Sequence, residues 1–158
     1  MMKYIFDNNT LAIIFRHYYR DSFPSFWILF DNMITEGTVC SVREVHNEIK
    51  VLTRKDTLET WSKANPRFFH DPTPEELQFI TQIYSVPHFL NSINQQKLFK
   101  GGPFADPFII AKAYVEKGTV VTLEKLTPNA GKIPNICEHF KIPCMNLETF
   151  LKQNKWSF

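Results

Sequence analysis

The stretch Gly101–Lys125, GGPFADPFIIAKAYVEKGTVVTLEK, decides how the rest of the chain is read. It holds a loop, a helix and a buried strand, with an acid at each end. Gly101, Gly102 and Pro103 make a turn. Asp106 stands at an N-cap position, Pro107 fills the first helical position, and FIIAKAYVEK follows with helix-forming residues. Gly118 ends the helix. TVVTL is a short β-branched apolar run of the kind found in strands covered on both faces, and Glu124 follows its carboxyl end. A helix-opening acid and a strand-ending acid in one αβ unit point to a sheet edge where a metal ion can be held.

Working outward, Lys3–Phe6 predicts a first strand that ends at Asp7. Asn8, Asn9 and Thr10 are turn and cap residues before the helix LAIIFRHYYR. Pro24 opens a second helix, in which Phe26, Trp27, Phe30, Met33 and Ile34 follow the spacing of a buried stripe, and Gly37 closes it. Thr38–Ser41 is a second strand. VREVHNEIKVL is helical, with Glu44 and Glu48 one turn apart on a shared side, and residues 56–63 extend that helical region. The segment NPRFFHDPTP reads as a loop. Thr73 with Glu76 makes a capping box for a helix reaching Tyr84. Pro87–Lys100 reads as short helical turns and loop. After the central unit come a loop over Thr127–Lys132, a helix over Pro134–Phe140, a strand over Ile142–Met145 and a terminal helix, LETFLKQ.

At 158 residues the chain fits one domain, 1–158, long enough to bury a core. Its 44% hydrophobic and 22% charged residues are those of an ordinary globular protein. The 15 phenylalanines predict a bulky core or an apolar partner surface. A formal net charge of +2 weighs mildly against a protein that holds long duplexes by charge, and says little about an enzyme that clasps a few nucleotides. Cys40, Cys137 and Cys144 form an odd set with no disulfide layout, and MMKYIFDNNT is no secretory signal. No run has the length of a membrane span. These features predict the reduced cytoplasm.

Strands separated by helices predict an α/β fold, a parallel sheet wrapped on both faces. Ligands in such sheets bind beyond the carboxyl ends of the strands. That rule places Asp7, Ser41 and Glu124 along one edge, and the helices opening nearby can deliver Glu44 or Glu48 and Asp106 to it. Singly, each acid has an ordinary explanation: an Asx-turn, a helix cap, a solvated helix face, a loop charge. Gathered together they repel unless a cation intervenes. A group of hard oxygen donors selects Mg²⁺ or Mn²⁺, and the chemistry implied is hydrolysis of a phosphodiester.

Four motifs, YIFDNNTL, VSVREVHNEI, ADPFIIAKA and VVTLEK, together make the chain resemble the PIN-domain nucleases, especially the VapC-like toxins of bacterial toxin–antitoxin pairs. The resemblance spans nearly the whole chain. It implies a three-layer α/β/α sandwich with a central parallel sheet of four or five strands. It implies a metal-dependent endoribonuclease with RNA as substrate, an antitoxin protein as partner and frequent homodimers. By that resemblance Asp7, Asp106 and Glu124 are metal ligands, and Glu48 is the helical acid of the catalytic set, with Glu44 its rival or a supporting group. Glu124 stands where the family commonly has Asp, so a longer side chain must reach the metal or act through water. Thr122 matches a threonine that orients the acidic cluster, and Asn9 stands where a small hydroxyl residue is frequent. Asn135 falls where another acid is half expected, which weighs against a second metal.

Arg16, Arg43, Lys112 and Lys125 flank the expected crevice and are candidates for RNA phosphates, with solvated surface as the ordinary alternative. Cys137, His139 and Cys144 lack the paired spacing of a zinc site. Phe23, Phe26, Trp27 and Phe30 on the second helix predict core packing first, and an antitoxin groove or dimer face second. Two other readings stand beside the nuclease. One is a non-catalytic PIN-like module that binds RNA or protein. The other is a receiver-like phosphoacceptor domain, which expects adjacent acids where Asp7 is followed by two asparagines.

Overall fold

The first strand, β1 (Tyr4–Phe6), runs through the middle of the sheet and is buried along its whole length. The structure is a computed structural model and describes residues 2–52 and 56–158. The chain passes from β1 through α1 (Asn8–His17) and α2 (Pro24–Glu36) to β2 (Val39–Val42), then through α3 (Arg43–Val51) and α4 (Thr57–Ala64) to β3 (Phe69–His70). Three helices, α5 (Pro74–Tyr84), α6 (Pro87–Lys100) and α7 (Asp106–Glu116), lead back to β4 (Thr119–Val121). From there α8 (Ile133–His139), β5 (Cys144–Met145) and α9 (Leu147–Gln153) complete the fold. The five strands lie in the order β3-β2-β1-β4-β5, and every pairing is parallel. Ile5 is flanked by Cys40 and Val120, and Val121 by Phe6 and Met145.

Parallel pairing requires a crossover after each strand, and those crossovers are the helices that cover the sheet. The apolar runs of β1 and β4 fit this burial: Ile5, Phe6, Val120 and Val121 are fully inaccessible. The phenylalanines go mainly to the core. Phe6 meets Phe30 and Phe150 edge-on at centroid distances of 5.6 and 5.2 Å, and Phe26 stacks on Phe30 at 5.4 Å. Phe26, Trp27 and Phe30 of α2 are buried, whereas Ile28 on its outer face is 63% exposed. Cys40 and Cys137 are buried thiols, and burial pushes the Cys40 thiol up to about 12. Among the described residues no helix is long and apolar enough to cross a membrane.

Several elements differ from the sequence pattern for identifiable reasons. Pro87–Lys100 is one continuous helix, α6, rather than turns and loop. Only Phe89 and Ile93 of α6 are buried, so its polar face hides the helical period. The loop before Pro74 contains β3, whose two residues pair with Ser41 and Val42 but are too few to show alternation. Helix α1 starts three residues earlier than expected, because Asp7 itself is the N-cap and accepts from the Thr10 N–H. Residues 57–64 form a separate helix, capped by Asp56. The Thr73 cap of α5 is present as its pattern predicts.

The two ends of α7 are also built otherwise. Ala105, in the right-handed helical region, is the N-cap, so Asp106 is already helical and its carboxylate caps nothing. At the other end Lys117, not Gly118, takes the left-handed conformation (φ 54°), and the Gly118 N–H reaches back to the Ala113 carbonyl at 2.8 Å. Gly118 is needed for space. A Cβ there would lie 2.7 Å from Ile5 Cδ1 and 3.0 Å from the Lys3 carbonyl oxygen. We therefore expect Gly118→Ala to destabilise the fold by about 1–3 kcal/mol through overpacking. Lys117→Gly should stabilise it by roughly 1 kcal/mol by relieving the left-handed residue. Urea denaturation of the two variants measures both.

Candidate active site

In this sheet the chain leaves β1 for one side and later returns to β4 on the other. A crevice is expected between the carboxyl ends of those two strands. A cavity of about 960 Å³ opens there, and Asp7, Glu48, Asp106 and Glu124 all line it. Asp7 follows β1 directly and Glu124 comes three residues after β4. Asp106 is the first residue of α7, and Glu48 is on the second turn of α3. Four acids separated by up to 117 positions in the chain thus face one space.

Asp7 is the most firmly held. One carboxylate oxygen accepts from the Thr10 N–H at 2.9 Å and the Thr10 hydroxyl at 2.6 Å. The other accepts from the Thr122 hydroxyl at 2.5 Å, and Thr122 Oγ1 in turn accepts the Glu124 N–H at 3.1 Å. These bonds tie the ends of β1 and β4 together. Glu48 accepts from the Lys100 ammonium and from the Ala105 N–H. Glu124 accepts from the Ile133 N–H at 3.0 Å, the first residue of α8. Asp106 is half-buried, and among the described residues no donor is hydrogen-bonded to its carboxylate.

Burial is the largest influence on all four carboxyls and raises each above its ordinary range. Asp106 is raised furthest in kind: the charges of Glu124, Glu48 and Asp7 add to its burial, with no hydrogen bond to offset them. At Asp7 the threonine hydrogen bonds oppose burial, and at Glu48 the Lys100 ammonium does.

The supporting residues divide differently from the sequence pattern. Thr122 orients Asp7, but the partner on the helix side is Thr10; Asn9 is exposed at the cavity wall and makes no bond to the acids among the described residues. Glu44 does not line the cavity. Its Oε1 pairs with the Arg43 guanidinium at 2.6 Å, while its buried Oε2 has no hydrogen-bond partner among the described residues. Lys112 is not a surface cation. It is 2% exposed and lies 3.2 Å from Glu116 and 3.9 Å from Glu76, between α5 and α7. Arg16 lines a shallower neighbouring depression with Asn9 and Glu124. Lys125 is exposed and outside the lining. Asn135 pins the preceding loop through the Thr127 carbonyl at 2.7 Å.

The cations that do line the cavity are Lys100 and Lys132. Much of the remaining wall comes from α6, where Asn91, Gln95 and Phe99 follow helical spacing. The faint helical period of residues 87–100 hides this wall in the sequence. The one signal for it was the run of amides and hydroxyls at that spacing, NSINQQ.

The donor set fits a hard divalent cation in kind: four carboxylates, one without a hydrogen-bonded donor, and an ammonium already seated among them. As placed, no group of three or more His, Cys, Asp or Glu side chains among the described residues forms a ready-made metal site. Holding a metal ion would require these side chains to move from their present positions.

An all-parallel five-stranded sheet flanked by helices, with acids at its carboxyl edge, is an α/β fold of the PIN-like kind. The chain belongs to a family described as a domain of unknown function, DUF4411, whose model matches residues 4–158. No curated protein matches the sequence. Among solved structures the chain is similar to the crystal structure of VapBC2 from Rickettsia felis bound to a DNA fragment from their promoter. The TM-score is 0.50 with 13% identity, over 92% of this chain and 98% of that one. A likeness at that identity is one of fold.

The raised carboxyls set a pH dependence. An acid whose folded pKa lies above its unfolded value binds its proton more tightly when folded, so stability falls as pH rises between the two values. With a chelator present, these four carboxyls should therefore add stability as pH is lowered from neutral toward the ordinary carboxylate range, against the opposite pull of His46 and His70, whose pKa values burial lowers. Asp106→Asn should raise the midpoint at neutral pH and flatten that slope. An Asp106→Asn midpoint no higher than wild type at neutral pH, with the same slope against pH, would contradict the assignment.

Proposed function

We propose that the protein is a metal-dependent endoribonuclease of the PIN type. The observation that supports it best is the meeting of Asp7, Glu48, Asp106 and Glu124 at the wall of one cavity, at the carboxyl edge where such sheets bind ligands. In this reading Asp7, Asp106 and Glu124 hold Mg²⁺ or Mn²⁺, and Glu48 completes the acidic set. A cation bound there supplies positive charge that acidifies water and offsets charge building on phosphoryl oxygens. Thr10 and Thr122 keep the Asp7 carboxylate from rotating away. The Ile133 N–H steadies the Glu124 carboxylate. Glu48, tied to the Ala105 N–H at the start of α7, keeps α3 and α7 in register at the site. The Lys100 and Lys132 side chains offer positive charge to a bound phosphate chain.

The fold likeness to a VapBC toxin–antitoxin assembly supports a place for this chain as the toxin half of such a pair. An antitoxin protein is then its partner, and the cytoplasm, where RNA is found, its compartment. The outer face of α2, with Ile28 and Leu29 exposed, is available to the antitoxin or to a second copy.

A non-catalytic RNA- or protein-binding module is the second reading. It is favoured by one observation: Asp7, Glu48 and Glu124 are each engaged by protein donors, and no ready-made metal site stands among the described residues.

Incubation of the purified protein with total RNA separates the two. The nuclease reading expects cleavage with Mg²⁺ or Mn²⁺, none with a chelator, and a loss of at least about 100-fold in Asp7→Asn and Asp106→Asn, both still folded. Equal cleavage by the Asp106→Asn variant, or none by wild type with either metal, would refute it.

A further inference from the structure

Lys100 is the last residue of α6, a helix that carries no other part of the acidic set, yet its ammonium is seated on Glu48 Oε2. Its charge acts on all four carboxylates of the cavity, not on Glu48 alone. The side chain is 44% exposed, while its partner is 4% exposed. The cation can therefore leave without crossing a packed core, whereas the carboxylate cannot follow it into solvent. The backbone beyond it turns at once: Gly101 is in the left-handed region (φ 68°) and Gly102 follows. No side chain on those two positions restricts the end of α6.

A buried carboxylate left without a cation is costly, and several together are costlier. An ammonium on a four-carbon stem meets that need with one charge. A divalent ion meets it with two and can bind several carboxylates at once.

We propose that Lys100 is the protein's own counter-cation in this cavity, seated on Glu48 until a divalent cation enters, so that lysine and metal compete to offset one group of carboxylates. This rests on the metal-binding reading above. A plain helix-to-helix ion pair would add stability without touching metal affinity; a competitor lowers that affinity while stabilising the metal-free protein.

Calorimetric titration of the chelator-stripped full-length protein with Mn²⁺, together with melting curves, distinguishes these. Lys100→Met is expected to bind Mn²⁺ at least about fivefold more tightly than wild type, from loss of a competing charge in the same cavity. Its metal-free midpoint should fall, and Mn²⁺ should raise that midpoint more than it does in wild type. Lys100→Arg, which keeps the charge, should stay near wild type in affinity. Lys100→Gln serves if the methionine variant does not fold, with the same tightening expected. Unchanged or weaker Mn²⁺ binding by the neutral variant would overturn the role of Lys100 and leave the metal reading standing. Failure of wild type to bind Mn²⁺ at all would overturn both.

Discussion

Four carboxylates held at one cavity wall are the constraint under which the rest of this edge is built. Two like charges about 5 Å apart repel by roughly 3 kcal/mol at an effective dielectric near 20. Such a group survives only if the fold fixes each member and supplies positive charge or donors. Here the means are visible. Two threonines grip Asp7, backbone N–H groups hold Glu48 and Glu124, and Lys100 sits on Glu48. Asp106 alone has no hydrogen-bonded donor among the described residues, and its carboxyl is correspondingly the most strongly raised in direction and cause.

The sheet topology makes this meeting possible. With β1 and β4 adjacent and parallel, Asp7 and Glu124 leave the sheet side by side. The Asp7 N–H bonds to the Val121 carbonyl, and Thr122 closes the seam from the other strand. Helix α7 returns antiparallel to the strands, so its first residue, Asp106, starts at the same edge. Close packing of α7 on the sheet depends on Gly118, where a side chain would strike Ile5. The buried aromatic layer of Phe6, Phe30 and Phe150 behind the seam fixes β1 from beneath.

Much of this was legible before any coordinates. Alternation of apolar runs with helical segments is enough for the α/β class and the parallel sheet, because β-branched runs such as TVV and amphipathic stretches such as PSFWILF carry strong periods. The acids were legible because strand ends and helix starts define an edge. Legibility failed where local signal is weak or tertiary contact decides. Helix α6 puts only two residues in the core, so its period is faint. Strand β3 is two residues long. Whether Asp106 caps α7 depends on the backbone of Ala105, and whether Lys112 is exposed depends on α5 lying across it. Neither is written in spacing. Thr10 and Lys100, which complete the site, follow from α1 starting at Asn8 and from residues 87–100 forming one continuous helix, and the pattern carries neither.

The fold and the acidic cavity support a nuclease more directly than any likeness at 13% identity does. A metal-dependent nuclease would need a divalent ion to draw the carboxylates together at the β1–β4 seam. Crystals grown with Mn²⁺ and measured for anomalous scattering decide this. The account expects a peak in the cavity, within coordinating distance of Asp7 and Asp106. A map with no peak there, or with Mn²⁺ bound only elsewhere on the surface, would contradict it.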